Sequence, residues 1–354
     1  SGTVSKYNIY IDGNYVTSTN TNRYDAAFIR KALSKDRLGG TCLINLCGGG
    51  ETLLPAEVVG YTKALLEEGH YVMIVTNATC SKRFDEIAQF PKELRERLFF
   101  KFSYHYLELK KRNLLHIFFR NVCKMRDVGC SFTLEATPSD ELVPYINEMK
   151  EEALKYLGAL NHVTVARDER CKIEKLPILT KMSRNEYQKT WGVFNSEFFD
   201  YKMSIFGVKR KEFCYAGDWS LSVNIGTGEA SQCYCSYFKQ NIYKDIAKPI
   251  KFIPVGNNCN QYHCYNGHAF LALGDIPELR TPTYGELRNR ITIYGTEWLQ
   301  PKMKAFMNTK LYESNKEYTE VEKMKVNRLI RILRIKSDAK TFVKRILFKV
   351  KHGF

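Results

Sequence analysis

Six times in its first 166 residues the chain runs from a short apolar, β-rich segment toward a helical or connecting one. The strand signals are Tyr7–Ile11, Thr41–Leu46, Tyr71–Thr76, Leu98–Ser103, Ser131–Glu135 and His162–Ala166. Helical spacing predicts helices over Ala26–Lys35, Ala56–Glu68, Arg83–Leu98, Tyr106–Val128 and Glu141–Leu157, with Gly39-Gly40, Gly69 and Gly129 marking breaks before strands. Parallel neighbours need crossovers, so serial βα units imply a parallel sheet covered by helices, either open and doubly wound or closed into a full or partial barrel. In such sheets ligands sit at the carboxyl ends of the strands.

The pattern changes after Ala166. Four regions are expected: a barrel over 1–166, a connecting helical segment over 167–212, a loop-rich unit over 213–300, and a basic helical tail over 301–354. A content of 44% hydrophobic and 26% charged residues excludes a disordered chain or a coiled coil. No apolar run approaches the ~20 residues needed to cross a bilayer. Eleven cysteines in a chain of 354 residues do not read as a secreted disulfide framework. A reducing cytoplasm is the expected setting, with thiols buried or holding metal.

Charge is unevenly placed. The chain carries 54 basic and 38 acidic residues, a net +16, and residues 321–354 alone hold eleven Lys/Arg against Glu322 and Asp338, a net +9. Apolar residues recur there at Val326, Leu329, Ile330 and Leu333, and again at Phe342, Ile346, Leu347 and Val350. Two basic amphipathic helices, broken around Ser337-Asp338, are expected. Their apolar faces can dock on the protein or a partner, or lie on an anionic membrane surface, which would make the protein peripheral at the inner membrane face. Nucleic acid is disfavoured as a partner, because a binder more often spreads its basic residues over the folded face.

After the second strand stands Asn45-Leu46-Cys47-Gly48-Gly49-Gly50-Glu51-Thr52-Leu53-Leu54-Pro55. Consecutive glycines allow close approach to the backbone and supply positive φ at low cost, and the helix beyond adds free N–H groups. It is no Walker loop, since GxxxxGK[ST] is absent. The segment resembles the Gly-Gly-Glu motif of the radical SAM superfamily, with Thr52 in place of the more usual Pro. Val75-Thr76-Asn77-Ala78-Thr79 is similar to that family's ending of strand three. The resemblance implies a partial (β/α)6 TIM-like barrel. It also implies S-adenosylmethionine as cofactor, with Gly48, Gly49, Gly50 and Glu51 at the methionine end, Thr76 and Asn77 beside them, and Ser103 and Glu135 as polar contacts.

Cys214, Cys233, Cys235, Cys259 and Cys264 fall within 51 residues. Clustered soft ligands read as an iron–sulfur or zinc site. Cys214, Gly228 and Cys233 spell C-x13-G-x4-C, which resembles the SPASM/twitch extension of radical SAM enzymes and implies an auxiliary [4Fe–4S] cluster. Cys214 and Cys233 would be joined by two of the other three cysteines. Zinc is the alternative, with His263 or His268 as substitutes.

One departure is large. The family's CxxxCxxC after strand one, which binds the radical cluster, has no counterpart in Asp12–Arg23, and the first cysteine of the chain is Cys42. Either the chain has lost the radical cluster and serves as a ligand-binding or scaffold protein, or the cysteine-bearing segment is missing from this sequence. In the second case the resemblance implies hydrogen abstraction by a 5′-deoxyadenosyl radical from a small-molecule, sugar or peptide substrate, with a reductase as partner. Arg167, Asp168, Glu169 and Arg170 after strand six, and His105 and Glu108 after strand four, are further polar candidates at the barrel mouth.

Overall fold

The computed structural model describes residues 5–11, 24–48, 50–168, 176–233 and 236–352, with backbone alone for the first of these and for parts of the last helix. The strands are β1 (Ser5–Ile11), β2 (Cys42–Gly48), β3 (Tyr71–Thr76), β4 (Leu98–Ser103), β5 (Ser131–Ala136), β6 (His162–Val163), β7 (Ser220–Asn224), β8 (Glu229–Ser231) and β9 (Lys239–Asn241). They form one sheet in the order β6-β5-β4-β3-β2-β1-β7-β8-β9. Strands β1 to β6 are mutually parallel, β7 is parallel to β1, and β8 and β9 complete an antiparallel meander.

Strict sequential order has a geometric consequence. Each right-handed crossover steps the same way and leaves its helix on the same face, so the sheet curls into a partial (β/α)6 barrel with helices outside. The side chains record this two-faced arrangement. Ile44, Leu46, Val72, Ile74, Phe100, Phe102, Phe132 and Leu134 join Ile29, Val58, Leu65, Phe84, Phe118, Val122 and Met149 of the covering helices in one core. Leu43, Met73 and Phe99 point the opposite way and pack with Phe198, Tyr215, Trp219, Tyr284, Leu299 and Met303 from the second half of the chain. With a side-chain period of two, Asn45, Cys47, Val75, Lys101, Thr133 and Glu135 share that inner face.

Several expected helices are subdivided. The stretch over Arg83–Leu98 is two helices, Ser81–Ala88 and Lys92–Arg95, parted at Pro91, which lacks the amide to continue the first. Tyr106–Val128 breaks into Tyr106–Lys111 and Leu115–Asp127 around Asn113, at φ +55°. Glu141–Leu157 opens as a 3-10 turn containing Pro144 and becomes α-helical at Ile146–Leu157. The sixth strand is shorter than expected. The predicted helix at Arg184–Gly192 is present, opened by a capping box between Ser183 and Glu186.

The tail departs from expectation more clearly. Glu320–His352 is one continuous helix, with no break at Ser337-Asp338. Neither residue interrupts a helix as Gly or Pro would. Ile330 is fully buried and Val326 packs on the inner cluster. Asn327 accepts the Asn257 amide at 3.0 Å and donates to Asn257 Oδ1 at 2.8 Å. No helix among the described residues is long and apolar enough to cross a membrane.

Candidate functional site

The loop after β2 and the end of β3 meet through one carboxylate. Glu51 Oε1 accepts the Thr76 hydroxyl at 2.6 Å and the Leu53 amide at 2.9 Å, while Oε2 accepts the Asn77 amide at 2.7 Å. Burial pushes the Glu51 carboxyl up, and these three donors pull it back. Two segments singled out separately in the sequence thus form one constellation. Gly48 and Gly50 do not have left-handed φ, so positive φ is not their purpose. Their use is space: a Cβ on Gly50 would meet nothing within 4 Å, and one on Gly48 would come no nearer than 3.7 Å to Thr52. Gly49 lies outside the described residues. The Gly48 amide donates to Thr52 Oγ1 at 3.1 Å.

Beside this loop the barrel encloses a cavity of about 370 Å³. Its wall includes Cys47, Lys101, Arg167, Lys202, His268 and Arg288. Glu135 holds two of these cations, pairing with Arg288 and, at 3.2 Å, with Lys101. Burial is the main cause of the low Lys101 pKa, about 8, to which the Arg288 charge adds, and burial alone takes Arg288 down to about 9. Lys202 and His268 are driven well down by burial and by the surrounding cations. Ser103 ends β4, opposite Glu135 in register. Of the mouth candidates, Arg167 donates to the Tyr265 carbonyl at 2.7 Å, while Glu169 and Arg170 lie outside the described residues. His105 and Glu108 line a separate surface hollow with Asn77 and Thr79.

A second, almost wholly apolar cavity brings together Cys214, Cys233, Cys259 and Cys264. The topology explains the convergence. Cys214 makes a two-way backbone bridge with Gly256, and the β7–β8 hairpin leads to Cys233. Gly228 closes that hairpin at φ +73°, and a Cβ there would lie 2.3 Å from the Tyr243 ring, so the glycine of the C-x13-G-x4-C spacing is required by shape. Burial, with Cys259 and Asp275 nearby, pushes Cys264 up to about 12, and burial also drives Cys214 well up. His263 borders this cavity and accepts the Gly207 amide at 3.2 Å, whereas His268 belongs to the barrel cavity and is not among the residues around the thiols. Cys235 lies outside the described residues. Among the described residues no three His, Cys, Asp or Glu side chains stand close enough to form a metal-binding group. Tyr265 and Asn266 form a wall common to both cavities.

Sequence reading missed Lys101, Lys202 and Arg288. Lys101 did carry a signal, a lone cation at the inward position of the strand Leu-Phe-Phe-Lys-Phe-Ser. Lys202 and Arg288 lie in helices far along the chain, and nothing local marks them as inward-facing.

No protein family and no curated protein matches the chain. Among solved structures, SuiB of Streptococcus suis bound to S-adenosylmethionine is 15% identical, with 69% of this chain and 64% of that chain covered and a TM-score of 0.46. SuiB bound to precursor peptide SuiA gives 15%, 69%, 63% and 0.45. For anSMEcpe with bound AdoMet the values are 14%, 99%, 99% and 0.41. The chain thus spans just under two thirds of the length of SuiB in these complexes. At such identities and TM-scores, fold and site stand on this chain's own topology and contacts.

Proposed function

We propose that the protein binds S-adenosylmethionine at the carboxyl ends of β2 and β3. The observation that carries the reading is the Glu51 brace, which holds the loop from Gly48 to the end of β3 while leaving open space over Gly50. Bound there, the methionine end would lie against the backbone of residues 48–51, and Ser103 and Glu135 are the further polar contacts. Calorimetry of the full chain with S-adenosylmethionine tests this. Saturable binding that Gly50→Val abolishes, with folding intact, is the expected result, and absence of heat would overturn it.

Cys214, Cys233, Cys259 and Cys264 suit a soft metal centre in their donor chemistry, with Cys235 as a further candidate. A [4Fe–4S] cluster would supply an auxiliary redox centre, and zinc a structural one. The radical cluster is a different matter. The sequence from Asp12 to Arg23 holds no cysteine, so the residues present do not fit that cluster and no radical step is derived for them. Hydrogen abstraction with a reductase as partner, and a ligand-binding barrel without radical chemistry, remain the two readings. The vacant place in the chemistry, three thiolates after β1, separates them.

The tail supports a membrane surface as partner. At 100° per residue, the exposed Val321, Met324, Ile332, Ile335 and Ile346 fall within about 80° of one another. That stripe lies opposite the buried Ile330, in a segment of net charge +9.

A further inference from the structure

Among the described residues three other than glycine have left-handed φ: Ala78 at +57°, Asn113 at +55° and Asn195 at +46°. Asparagine visits this region routinely, because its short polar side chain can bond locally. Alanine has no such help, and its Cβ crowds the backbone there. Ala78 is also fully buried, in the turn that follows β3. Such a conformation persists only where the surroundings over-determine it, and residues of this kind cluster at functional sites.

Two hydrogen bonds grip Ala78 from opposite sides of its Cα. Its amide donates to Thr76 Oγ1 at 3.1 Å, and its carbonyl accepts Asn121 Nδ2 at 2.8 Å. Rotation about either backbone bond of Ala78 swings one of these groups away from its partner, so together they fix the turn. Thr76 Oγ1 in turn donates to Glu51, and the Asn77 amide bonds the other oxygen of that carboxylate. Asn77 Oδ1 accepts the amide and the hydroxyl of Thr79, at 3.1 Å and 2.6 Å, which closes the turn.

Asn121 comes from the helix Leu115–Asp127, 43 residues further along the chain. It is fully buried in a helix whose other buried residues are Phe118, Phe119, Val122 and Met125. A carboxamide among apolar side chains costs stability unless it is bonded. This one directs Nδ2 at the turn, to the Ala78 carbonyl and, at 3.0 Å, to Ser81 Oγ. Leucine has nearly the same shape and would fill the place without that cost. The carboxamide is explained by the turn it holds, not by packing.

We propose that Asn121 is a positioning residue: through Ala78 it sets the Thr76 hydroxyl and the Asn77 amide that brace Glu51. That the braced loop receives S-adenosylmethionine rests on the reading above; that Asn121 governs the brace does not.

The test combines amide hydrogen exchange, read by NMR, with calorimetry of the full chain against S-adenosylmethionine. In Asn121→Leu the Asn77 and Leu53 amides, both bonded to Glu51, should exchange about tenfold faster, as loss of one buried hydrogen bond implies. Amides of β5 should keep their wild-type rates, which separates this effect from general destabilisation. Cofactor affinity should fall with the brace. Adding Ala78→Gly to Asn121→Leu should restore much of both, since glycine adopts left-handed φ at no steric cost. An asparagine that only filled space would show no such rescue. Gly50→Val should block the cofactor and leave the exchange rates alone. If Asn121→Leu does not fold, Asn121→Ala is read in the same way. Faster exchange and its rescue, without S-adenosylmethionine heat in the wild type, would keep this inference and remove the cofactor reading. Unchanged exchange in the variant, or no rescue by Ala78→Gly, would overturn it.

Discussion

Glu51 Oε2 accepts the backbone amide of Asn77 at 2.7 Å, which joins the loop after β2 to the end of β3 across 26 residues of chain. With Thr76 and Leu53 also donating to Oε1, removal of this carboxylate would strand three donors in a half-buried place. Glu51→Ala is therefore expected to destabilise the fold by about 2 kcal/mol or more and to weaken S-adenosylmethionine binding at least tenfold. Glu51→Gln keeps one acceptor but sets an amide donor against another donor, so its loss should be intermediate. Urea denaturation and calorimetry on the same samples check both effects.

Two glycines make opposite predictions. Gly50 has open space around the position of a Cβ, so Gly50→Ala should change stability by less than about 1 kcal/mol. Gly228 combines φ +73° with the Tyr243 ring 2.3 Å from a would-be Cβ, and Gly228→Ala should cost several times as much. Denaturation midpoints of the pair decide this. Equal losses would show that one of the two local geometries is wrong.

The βα alternation was legible because each strand and each covering helix writes its own period into the sequence. Boundaries were less so, since Pro91 and Asn113 break helices whose apolar spacing continues across them. The Gly48–Glu51 and Thr76-Asn77 segments were readable as motifs, but the bond between them is a tertiary fact. The inward cations were mostly hidden: a basic residue in a helix reads as solvated unless the packing partner is known. Arg167, after strand six, was singled out as a polar candidate at the mouth, whereas Lys101, alone among aromatics in β4, carried a signal that went unread. The tail was misread as two helices because a phase change in its apolar spacing looks like a break. The structure uses one phase, at Val326 and Ile330, for docking, and Ile346 of the other set is exposed.

His70 is held neutral between two backbone groups. The Cys42 amide donates to Nδ1 at 3.1 Å, so Nε2 carries the proton and donates to the Leu33 carbonyl at 2.8 Å. Burial is the main reason its pKa falls to about 4; the Leu33 bond and Glu68 work the other way, and Lys35 and Arg97 add to the fall. Because the folded pKa lies below the ordinary 6.5, the unfolded chain takes up the proton first as pH falls. This contribution to stability is complete above about pH 6.5, declines down to about pH 4, and then levels off, a total of roughly 3 kcal/mol. His162 and His263 are also depressed, so the measurement is a difference. Urea unfolding of wild type and His70→Asn from pH 7.5 to 4.5 should show the shallower slope in the variant.

If the four converging thiols hold a metal, anaerobically purified protein should carry iron with acid-labile sulfide, or zinc without it. Cys214→Ala or Cys233→Ala should lower that content to background. Cys42→Ala, which removes a buried thiol that does not line the cavity, should leave it unchanged. Metal analysis with chelator treatment reads the outcome. Equal content in all three variants would detach the metal from this cavity.

The last helix can be cut only where packing permits. Val326, Asn327 and Ile330 tie its first part to the body, so removing residues 321–354 would expose the inner cluster and confuse folding with binding. Truncation after Ile335 spares those contacts and removes six Lys/Arg against one acid, Asp338. Each basic residue near an anionic bilayer contributes about 1 kcal/mol, screened by salt. Full-length protein should therefore sediment with phosphatidylserine vesicles at low salt and release as salt rises, whereas the truncated form should stay in the supernatant with an unchanged melting temperature. Ile332→Ser and Ile335→Ser together, which keep every charge, should weaken binding as well. If the double variant binds as tightly as wild type, the exposed stripe is not what meets the lipid, and charge alone accounts for the attraction.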